Sequence, residues 1–220
     1  MAGLQDIINY ATSLQISRRR IVGIQYTRNQ IARVGETPGR NPWKFSVKVD
    51  RPIQYSVARA LTEELDRLDR ALPQSISFSG NPKLNWMWAY QGKMTTAQIN
   101  AITISTFSGS SLVITNLGSV GLGTVMFEPG DIVQVAGQAY PFTVTAQVVR
   151  TSAATQTLVV HRGNFISDSV AGLGIVVGNS VNFYMLCTNM PTYTIIRGGT
   201  NGLVQFDSSF ELFEYTGLEV

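Results

Sequence analysis

The stretch from residue 50 to residue 79 restricts the fold more than any other, because it places a helix pattern between two strand patterns. Leucines recur there at helical spacing, between Ser56, a candidate N-cap, and Pro73, which stops a helix. The leucines are Leu61, Leu65, Leu68 and Leu72. Charged side chains fill most of the positions between them. The spacing therefore predicts an amphipathic helix with one apolar stripe and a solvated opposite face.

Alternation with a period of two flanks this helix on both sides. Before it, apolar residues from Trp43 to Val49 alternate with polar ones, and after it Ile76 and Phe78 alternate with serines. The apolar stripe of a helix and the apolar faces of strands can bury each other. We therefore expect a mainly β member of the α+β class, with one amphipathic helix packed on a sheet.

Charged residues are scarce and unevenly placed. They make up 14% of the chain, against roughly 25% in an average soluble protein. Residues 1–73 hold twelve basic and seven acidic side chains, a balance of +5, and residues 74–220 hold five and seven, a balance of −2. A surface with so little charge is typical of one that partners cover. The net charge of +3 is weak support for nucleic-acid binding.

The N-terminal segment carries a second helix pattern. Apolar residues at helical spacing predict a short amphipathic helix from Gly3 to about Gln15. These residues are Leu4, Ile7, Ile8, Ala11 and Leu14. An assembly arm and a core helix both fit the pattern, whereas its uncharged polar face argues against a membrane surface. The segment matches neither a secretory signal nor a membrane-spanning helix, because its apolar part is short and precedes the basic cluster.

A basic triplet follows this helix pattern. It consists of Arg18, Arg19 and Arg20. Such a run is either a solvated turn or a contact with nucleic acid or with an acidic neighbouring surface.

Aromatic residues alternate at Trp86, Trp88 and Tyr90, which predicts a ladder on one face of a strand. A buried core or a subunit interface is one use of such a ladder. A stacking platform for carbohydrate or single-stranded nucleic acid is the other.

The composition shifts toward Gly, Ser, Thr, Val and Ile after Thr95. Between residues 94 and 183, short strand patterns recur, separated by turns such as Pro129–Gly130. This all-β stretch is typical of a small barrel. The strand patterns of residues 184–220, with a hairpin turn at residues 200–202, are expected to return to the first sheet. We predict one domain from residues 1–93 and 184–220 and a β-rich insertion domain at 94–183.

The sequence offers no complete set of catalytic or metal-binding residues. His161 is the single histidine, so no second histidine can complete a metal site, and a Ser-His-Asp set would have to use His161 itself. A structural role at a strand end is expected for it. Cys187 is the single cysteine and lies in an apolar run, which favours a buried thiol. The glycines at 172–178 lack the spacing of a dinucleotide-binding loop. We therefore expect a protein that is not an enzyme and that binds no cofactor and no metal.

Three segments together resemble the tail-tube and baseplate proteins of contractile-tailed bacteriophages, including distal-tail and tube-initiator proteins. They are WKFSVKVDRP, SVARALTEELDRLDRALP and GLVQFDSSFELFEY. The resemblance covers roughly residues 1–93 and 184–220. It implies a tail-tube-like β-sandwich or barrel with one packed amphipathic helix, to which the small β-barrel-like insertion and the N-terminal helix are added.

The resemblance also implies a function and a set of partners. The chain is expected to be a structural virion protein, assembled in the host cytoplasm into a hexameric ring that joins the tail tube to neighbouring baseplate components. Its partners are then copies of itself and other tail or baseplate proteins, with DNA only passing through the channel. No membrane and no small-molecule substrate are expected. A single-stranded nucleic-acid-binding module and a head or capsid joining protein are the alternatives.

Residues at four places are the expected contacts between subunits, namely the N-terminal helix, the arginine triplet, the first strand and the aromatic ladder. They are Leu4, Ile7, Ile8, Leu14, Arg18, Arg19, Arg20, Trp43, Trp86 and Trp88. The loop at residues 35–42 is a further expected contact element.

Overall fold

Antiparallel pairing between distant strands organises this mainly β chain, which is 38% strand and 17% helix. The structure is a computed structural model and describes residues 3–17, 22–26, 32–36, 41–67, 72–164, 166, 169–198 and 202–217. The α-helices are α1 (Gly3–Tyr10), α2 (Tyr55–Arg67) and α3 (Thr96–Ala101), and 3-10 helices span Asn85–Trp88 and Gly178–Ser180. The strands are β1 (Ser13–Ser17), β2 (Val22–Tyr26), β3 (Ala32–Glu36), β4 (Lys44–Lys48), β5 (Ile53–Gln54), β6 (Gln74–Ile76), β7 (Thr103–Ser108), β8 (Ser111–Thr115), β9 (Val125–Phe127), β10 (Ile132–Val135), β11 (Pro141–Thr143), β12 (Val148–Val149), β13 (Gln156–Val159), β14 (Ile175–Val177), β15 (Phe183–Asn189), β16 (Tyr193–Ile196), β17 (Leu203–Phe206) and β18 (Phe210–Glu214).

A five-stranded sheet of order β1-β4-β18-β15-β6 forms the centre of the fold. Every adjacent pair in it is antiparallel. The predicted alternation of β4 is confirmed, since Phe45 and Val47 are fully buried while Lys44 and Lys48 are exposed. The C-terminal strands return to this sheet as expected, because β18 lies between β4 and β15.

A three-stranded sheet continues the central one. Its order, β5-β17-β16, repeats the order β4-β18-β15, and each of its strands lies next to its counterpart in the chain. Residues 49–52, 207–209 and 190–192 join the two sheets. At one of these joints Asp207 accepts hydrogen bonds from the hydroxyls of Thr192 and Thr194, both at 3.1 Å. The three central strands therefore bend from one sheet into the next.

A first hydrophobic core lies between these sheets and the helices α1 and α2. It contains Leu4, Ile7 and Ile8 of α1, Ala58 and Leu61 of α2, and the apolar faces of the strands. Edge-to-face aromatic contacts fill its centre, with Trp43 5.4 Å and Phe45 5.1 Å from Phe183 between ring centroids.

The predicted helix of residues 56–72 is present as α2, with two corrections. It begins at Tyr55, so Ser56 lies inside the helix and is not its N-cap. Leu72 lies beyond α2 and is 59% exposed, so it is not part of a buried stripe. Of the leucine stripe, Leu61 is buried, and the side chains of Leu65 and Leu68 lie outside the described residues.

The N-terminal helix is shorter at its C-terminal end than the predicted span from Gly3 to about Gln15. It ends at Tyr10, and residues 13–17 form β1, paired with β4 from Ser13 opposite Lys48 to Ser17 opposite Lys44. Helix spacing and strand alternation both fit Leu14, and pairing with the apolar strand β4 decides between them.

A second hydrophobic core lies within residues 94–177. It is enclosed by sheets of order β13-β8-β7, β12-β9 and β11-β10-β14. Most of the predicted strands of this stretch are present, but FTVTAQVVR is divided into β11 and β12, and α3 adds a helix that the all-β prediction missed. Thr95 caps α3, since its hydroxyl accepts from the Gln98 backbone N–H and the Gln98 side chain accepts from the Thr95 N–H. The division into domains at residues 93 and 183 stays a prediction.

A buried ion pair joins the parts of the chain that carry the two cores. Arg162 follows β13, and its guanidinium donates to both carboxylate oxygens of Glu214 on β18, at 2.6 and 2.8 Å. Both side chains are fully buried. Glu214 also accepts from the Trp43 backbone N–H at 2.9 Å, and Arg162 donates to the Pro141 carbonyl at 2.7 Å. The pair therefore fixes how β11, β13 and β18 meet.

Candidate assembly interface

The strand β16 is an exposed apolar edge. All four of its residues are exposed, and its three large apolar side chains are among the most exposed of that kind in the described chain. They are Tyr193 at 42%, Ile195 at 58% and Ile196 at 39%. β16 pairs with β17 on one side, and the described residues provide no strand on its other side. Its outer backbone N–H and C=O groups are therefore open to another strand.

Apart from its short length of four residues, β16 lacks the devices that usually protect such an edge. Natural edge strands carry Lys, Pro or a bulge that prevents pairing with another chain. β16 reads YTII, without charge or proline, and its register with β17 is continuous from Tyr193 opposite Phe206 to Ile196 opposite Leu203. An unprotected edge of this kind is typical of a strand that another chain covers.

The side chains of β16 extend the apolar surface around it. The Ile195 side chain and the Tyr55 side chain both lie beside Gly202, and Tyr55, at the start of α2, is 39% exposed. The Tyr193 ring contacts the buried Phe206 ring at 6.2 Å between centroids. Tyr55 and Ile195, which are both exposed, therefore lie close together beside Gly202 at this edge.

A second open edge lies on the opposite side of the bent sheet. β1 pairs with β4 alone among the described strands, and its burial alternates weakly along Ser13–Ser17. β4 and β5 lie toward one side of the sheets, and β15 and β16 lie toward the other. Of the edge strands of these two sheets, β1 and β16 therefore belong to opposite sides, as a head-to-tail contact between copies requires.

Several of the expected contact residues are not at a surface. Leu4, Ile7, Ile8 and Trp43 are buried within this chain, at 1% exposure or less. The expectation that they contact a second subunit is wrong, because α1 and the Trp43 strand use these side chains to build the first core. Of the two readings of the N-terminal helix, the core helix is the one observed.

The remaining expected contacts are divided. Leu14 lies half-buried on β1, at one of the open edges. Trp86 is 69% exposed and Trp88 packs against Trp43, Phe78 and Phe183. Arg18, Arg19 and Arg20 lie outside the described residues, as do residues 37–40 of the loop at residues 35–42.

The predicted aromatic ladder on one strand face is wrong. Residues Asn85–Trp88 form a 3-10 helix, so Trp86 and Trp88 do not share one face of a strand. Local hydrogen bonds explain this, since the Met87 N–H donates to Leu84 and the Ala89 N–H donates to Trp86. A stacking platform built on these two rings is therefore absent.

His161 has the structural role that was expected of it. Its Nδ1 accepts from the Thr143 backbone N–H at 2.9 Å, and its ring lies 5.6 Å from the Trp43 ring. Because Nδ1 is an acceptor, the ring is in the neutral tautomer with the proton on Nε2. His161 also lines a cleft of about 580 Å³ with Asn41, Gly130 and Thr145. No carboxylate lines that cleft among the described residues.

The other candidates for chemistry lie apart from His161. The Cys187 thiol is half-buried on β15 and donates to the Asn189 carbonyl at 3.5 Å. Within the described residues, His, Cys, Asp and Glu side chains form no cluster of three that could hold a metal ion.

Comparison with models of known protein families gives no match for this chain, and comparison with curated proteins gives none either. None of the described helices has the length and apolar character needed to cross a membrane.

The residues of β16 are not among the contact residues expected from the sequence, although their strand was predicted. The signal was in PTYTIIRGG, an apolar strand pattern with no charge before Arg197. Exposure of that pattern follows from strand order, which places β16 outside β17 at the edge of its sheet among the described strands.

Proposed function

We propose that this protein is a structural component that assembles with copies of itself into a ring, as a tail-tube or baseplate protein of a contractile-tailed bacteriophage does. One observation carries the proposal, which is the exposed and unprotected edge of β16 at one side of the bent sheet. Pairing of β16 with an open edge of a neighbouring copy buries its apolar side chains and satisfies its outer backbone groups.

The position of the two open edges supports a ring over a simple pair. Contacts between two different surfaces of identical subunits close into a ring when the rotation between neighbours allows it. β1 is an edge of the five-stranded sheet, next to β4, and β16 is an edge of the three-stranded sheet that continues it, on the side of β15, so the two are different surfaces. Pairing β16 of one copy with β1 of the next gives each copy one donor edge and one acceptor edge.

The low charge of the chain supports the same reading. Interface centres are depleted of charged side chains, and the charged fraction of this chain is 14%. The helix between strands is a further feature that the resemblance to tail and baseplate proteins implies, and the strand-rich insertion favours a baseplate or tail-end component over a plain tube protein. The proposed ring is a hexamer, and its proposed neighbours are other tail proteins.

The native mass of the purified protein, measured across concentration and salt together with negative-stain images, tests the proposal. We expect rings or stacked rings in the wild type. The substitution Ile195→Lys should leave the chain folded, because Ile195 is 58% exposed, and should shift the mass to that of the monomer, because a lysine at an edge strand opposes pairing.

Val159→Lys is the matched control, since Val159 is a strand residue with 42% exposure in the region of the second core. It should assemble as the wild type does. A wild type that stays monomeric at every concentration, both alone and with other tail components added, contradicts the proposal. Equal loss of rings in both lysine variants contradicts the assignment to β16.

A further inference from the structure

A groove separate from β16 lies where α1, the β4–β5 joint and the start of α2 meet. It has a volume of about 380 Å³. Val49, Ile53 and Val57 supply apolar lining, with the half-exposed ring of Tyr10. The side chains of Val49 and Ile53 are buried, at 2% and 5% exposure, so they form a fixed apolar floor.

Two cations line the same groove without a counterion. Arg51 and Lys83 are both exposed, and among the described residues neither takes part in an ion pair. No acidic side chain is among the described residues that line the groove. The nearest carboxylate in sequence, Asp50, is bound elsewhere, at 2.8 Å from both Lys48 Nζ and the Thr12 hydroxyl.

The same contacts keep Asp50 ionised and away from Arg51. The hydrogen bond from Lys48, followed by that from Thr12, lowers the pKa of Asp50 below its usual value. The Thr12 hydroxyl also accepts from the Asp50 backbone N–H at 3.0 Å. Asp50 is thus bound to Lys48 and Thr12, and it forms no ion pair with either cation of the groove.

The walls of the groove are held by buried hydrogen bonds. The amide of Asn81, which is fully buried, donates to the carbonyls of Ile8 at 2.6 Å and Ala11 at 3.0 Å, and its oxygen accepts from the Lys83 N–H at 2.8 Å. These bonds attach the turn that carries Lys83 to the end of α1, which carries Tyr10. A site whose walls are preformed loses less conformational entropy when it binds.

We infer that this groove binds an extended acidic segment of a partner protein, in which an aliphatic side chain is flanked by carboxylates. The aliphatic side chain fits the floor at Val49, Ile53 and Val57. The carboxylates on either side meet Arg51 and Lys83, neither of which forms an ion pair with a described residue. Charge complementarity favours such a segment, because the described lining of the groove combines an apolar floor with two cations and no acidic side chain.

Fluorescence anisotropy of a labelled peptide tests the inference on the full chain. The probe is a fluorescein-labelled peptide in which Leu is flanked by Glu residues, and its matched controls carry Gln for Glu or Ser for Leu. We expect saturable binding of the probe that weakens with added salt, since exposed charges are screened. Both control peptides should bind more weakly.

Two double variants separate the groove from general charge. Arg51→Gln with Lys83→Gln should weaken binding of the probe about two- to thirtyfold, the range expected for two exposed ion pairs. Lys93→Gln with Arg197→Gln removes the same charge from exposed sites outside the groove and should bind as the wild type does. Circular dichroism of each variant checks that it is folded.

Several results would overturn the inference. They are the absence of saturable binding, equal weakening in both double variants, and equal binding of the Gln peptide. Binding of decanoate or of an oligothymidylate in place of the peptide also overturns it, because the occupant is then a free amphiphile or a nucleic acid. Ring formation does not enter these measurements, so the result stands or fails apart from the proposed assembly.

Discussion

At the scale of single residues, the ion pair between Arg162 and Glu214 is the contact whose loss should cost most. Substitution Arg162→Met leaves the Glu214 carboxylate buried without its cation, which should lower the free energy of unfolding by about 3–5 kcal/mol. The double variant Arg162→Met with Glu214→Gln removes the stranded charge and keeps an acceptor for the Trp43 N–H. It should therefore be more stable than Arg162→Met alone. Urea denaturation of both variants measures the difference, and equal stability of the two contradicts the prediction.

Tyr90 gives the fold an alkaline limit. Burial, with a smaller effect of the Asp131 charge, raises the pKa of Tyr90 from 10.0 to about 12, although a hydrogen bond with the Met94 backbone acts in the opposite direction. Its hydroxyl donates to the Met126 carbonyl, a bond that only the protonated form makes. Since the folded pKa is raised, the stability linked to this group is complete below pH 10.0 and is lost as the pH rises toward about 12.

The test compares Tyr90→Phe with the wild type in urea denaturation on both sides of pH 10. The variant should be less stable at neutral pH, because the Met126 carbonyl loses its donor, and it should lose less stability than the wild type on further addition of base. Tyr193→Phe, on the exposed edge, is the control and should keep the alkaline loss of the wild type. A parallel pH dependence of Tyr90→Phe and the wild type contradicts the assignment.

At the scale of elements, Asn81 fixes the end of α1. A helix leaves its last carbonyls without partners inside the helix, and here the Asn81 amide donates to two of the carbonyls at this end of the segment, those of Ile8 and Ala11. Substitution Asn81→Ala removes the donor of the Ala11 carbonyl and the acceptor of the Lys83 N–H, while the Ile8 carbonyl keeps only the Ala11 N–H, at 3.2 Å. It should lower the free energy of unfolding by about 2–4 kcal/mol.

Thermal denaturation measures this loss, and hydrogen exchange should show that α1 opens first in Asn81→Ala. Asn100→Ala on the exposed face of α3 is the matched control and should be neutral or slightly stabilising, because alanine favours a helix interior. An Asn81→Ala variant as stable as this control would contradict the assigned role.

Elements with one strong period were predictable from sequence, and elements that long-range contacts decide were not. β4 and the face of β18 that carries Phe210, Leu212 and Glu214 follow from alternation alone, and both are observed. The end of α1 was not predictable, because residues 11–17 fit helix spacing until they pair with β4. Residues 85–88 were misread since an alternating run of aromatics also fits a 3-10 helix whose hydrogen bonds are local.

The candidate site shows the same division. The strand of β16 could be read from its composition, but its open edge depends on which strands lie beside it, and the sequence does not state strand order. Glu214 could be placed on the buried face of its strand, whereas its partner Arg162 lies 52 residues away in sequence. A polar residue on an apolar face predicts that a partner exists without identifying it.

At the scale of the whole molecule, ring assembly and the groove make different demands on the surface. Assembly through β16 pairs backbone groups, so it should be nearly independent of salt, whereas binding at Arg51 and Lys83 should weaken with salt. The two surfaces are carried by adjoining elements, since β5 both lines the groove and pairs with β17, the neighbour of β16. Rings formed at high salt should therefore keep their β16 contact while the groove releases an acidic probe.

Hydrogen exchange of ring and monomer distinguishes the edge from the rest of the surface. In an antiparallel edge strand, roughly half of the backbone N–H groups point away from the neighbouring strand and exchange with water. Pairing with another copy gives these N–H groups acceptors, so the amides of Tyr193–Ile196 should exchange more slowly in rings than in the Ile195→Lys monomer. The exposed turn between β7 and β8, at Gly109 and Ser110, serves as the internal control and should exchange equally in both. Rings in which β16 exchanges as fast as in the monomer must be held by another surface, and the assignment of the assembly contact to β16 is then wrong.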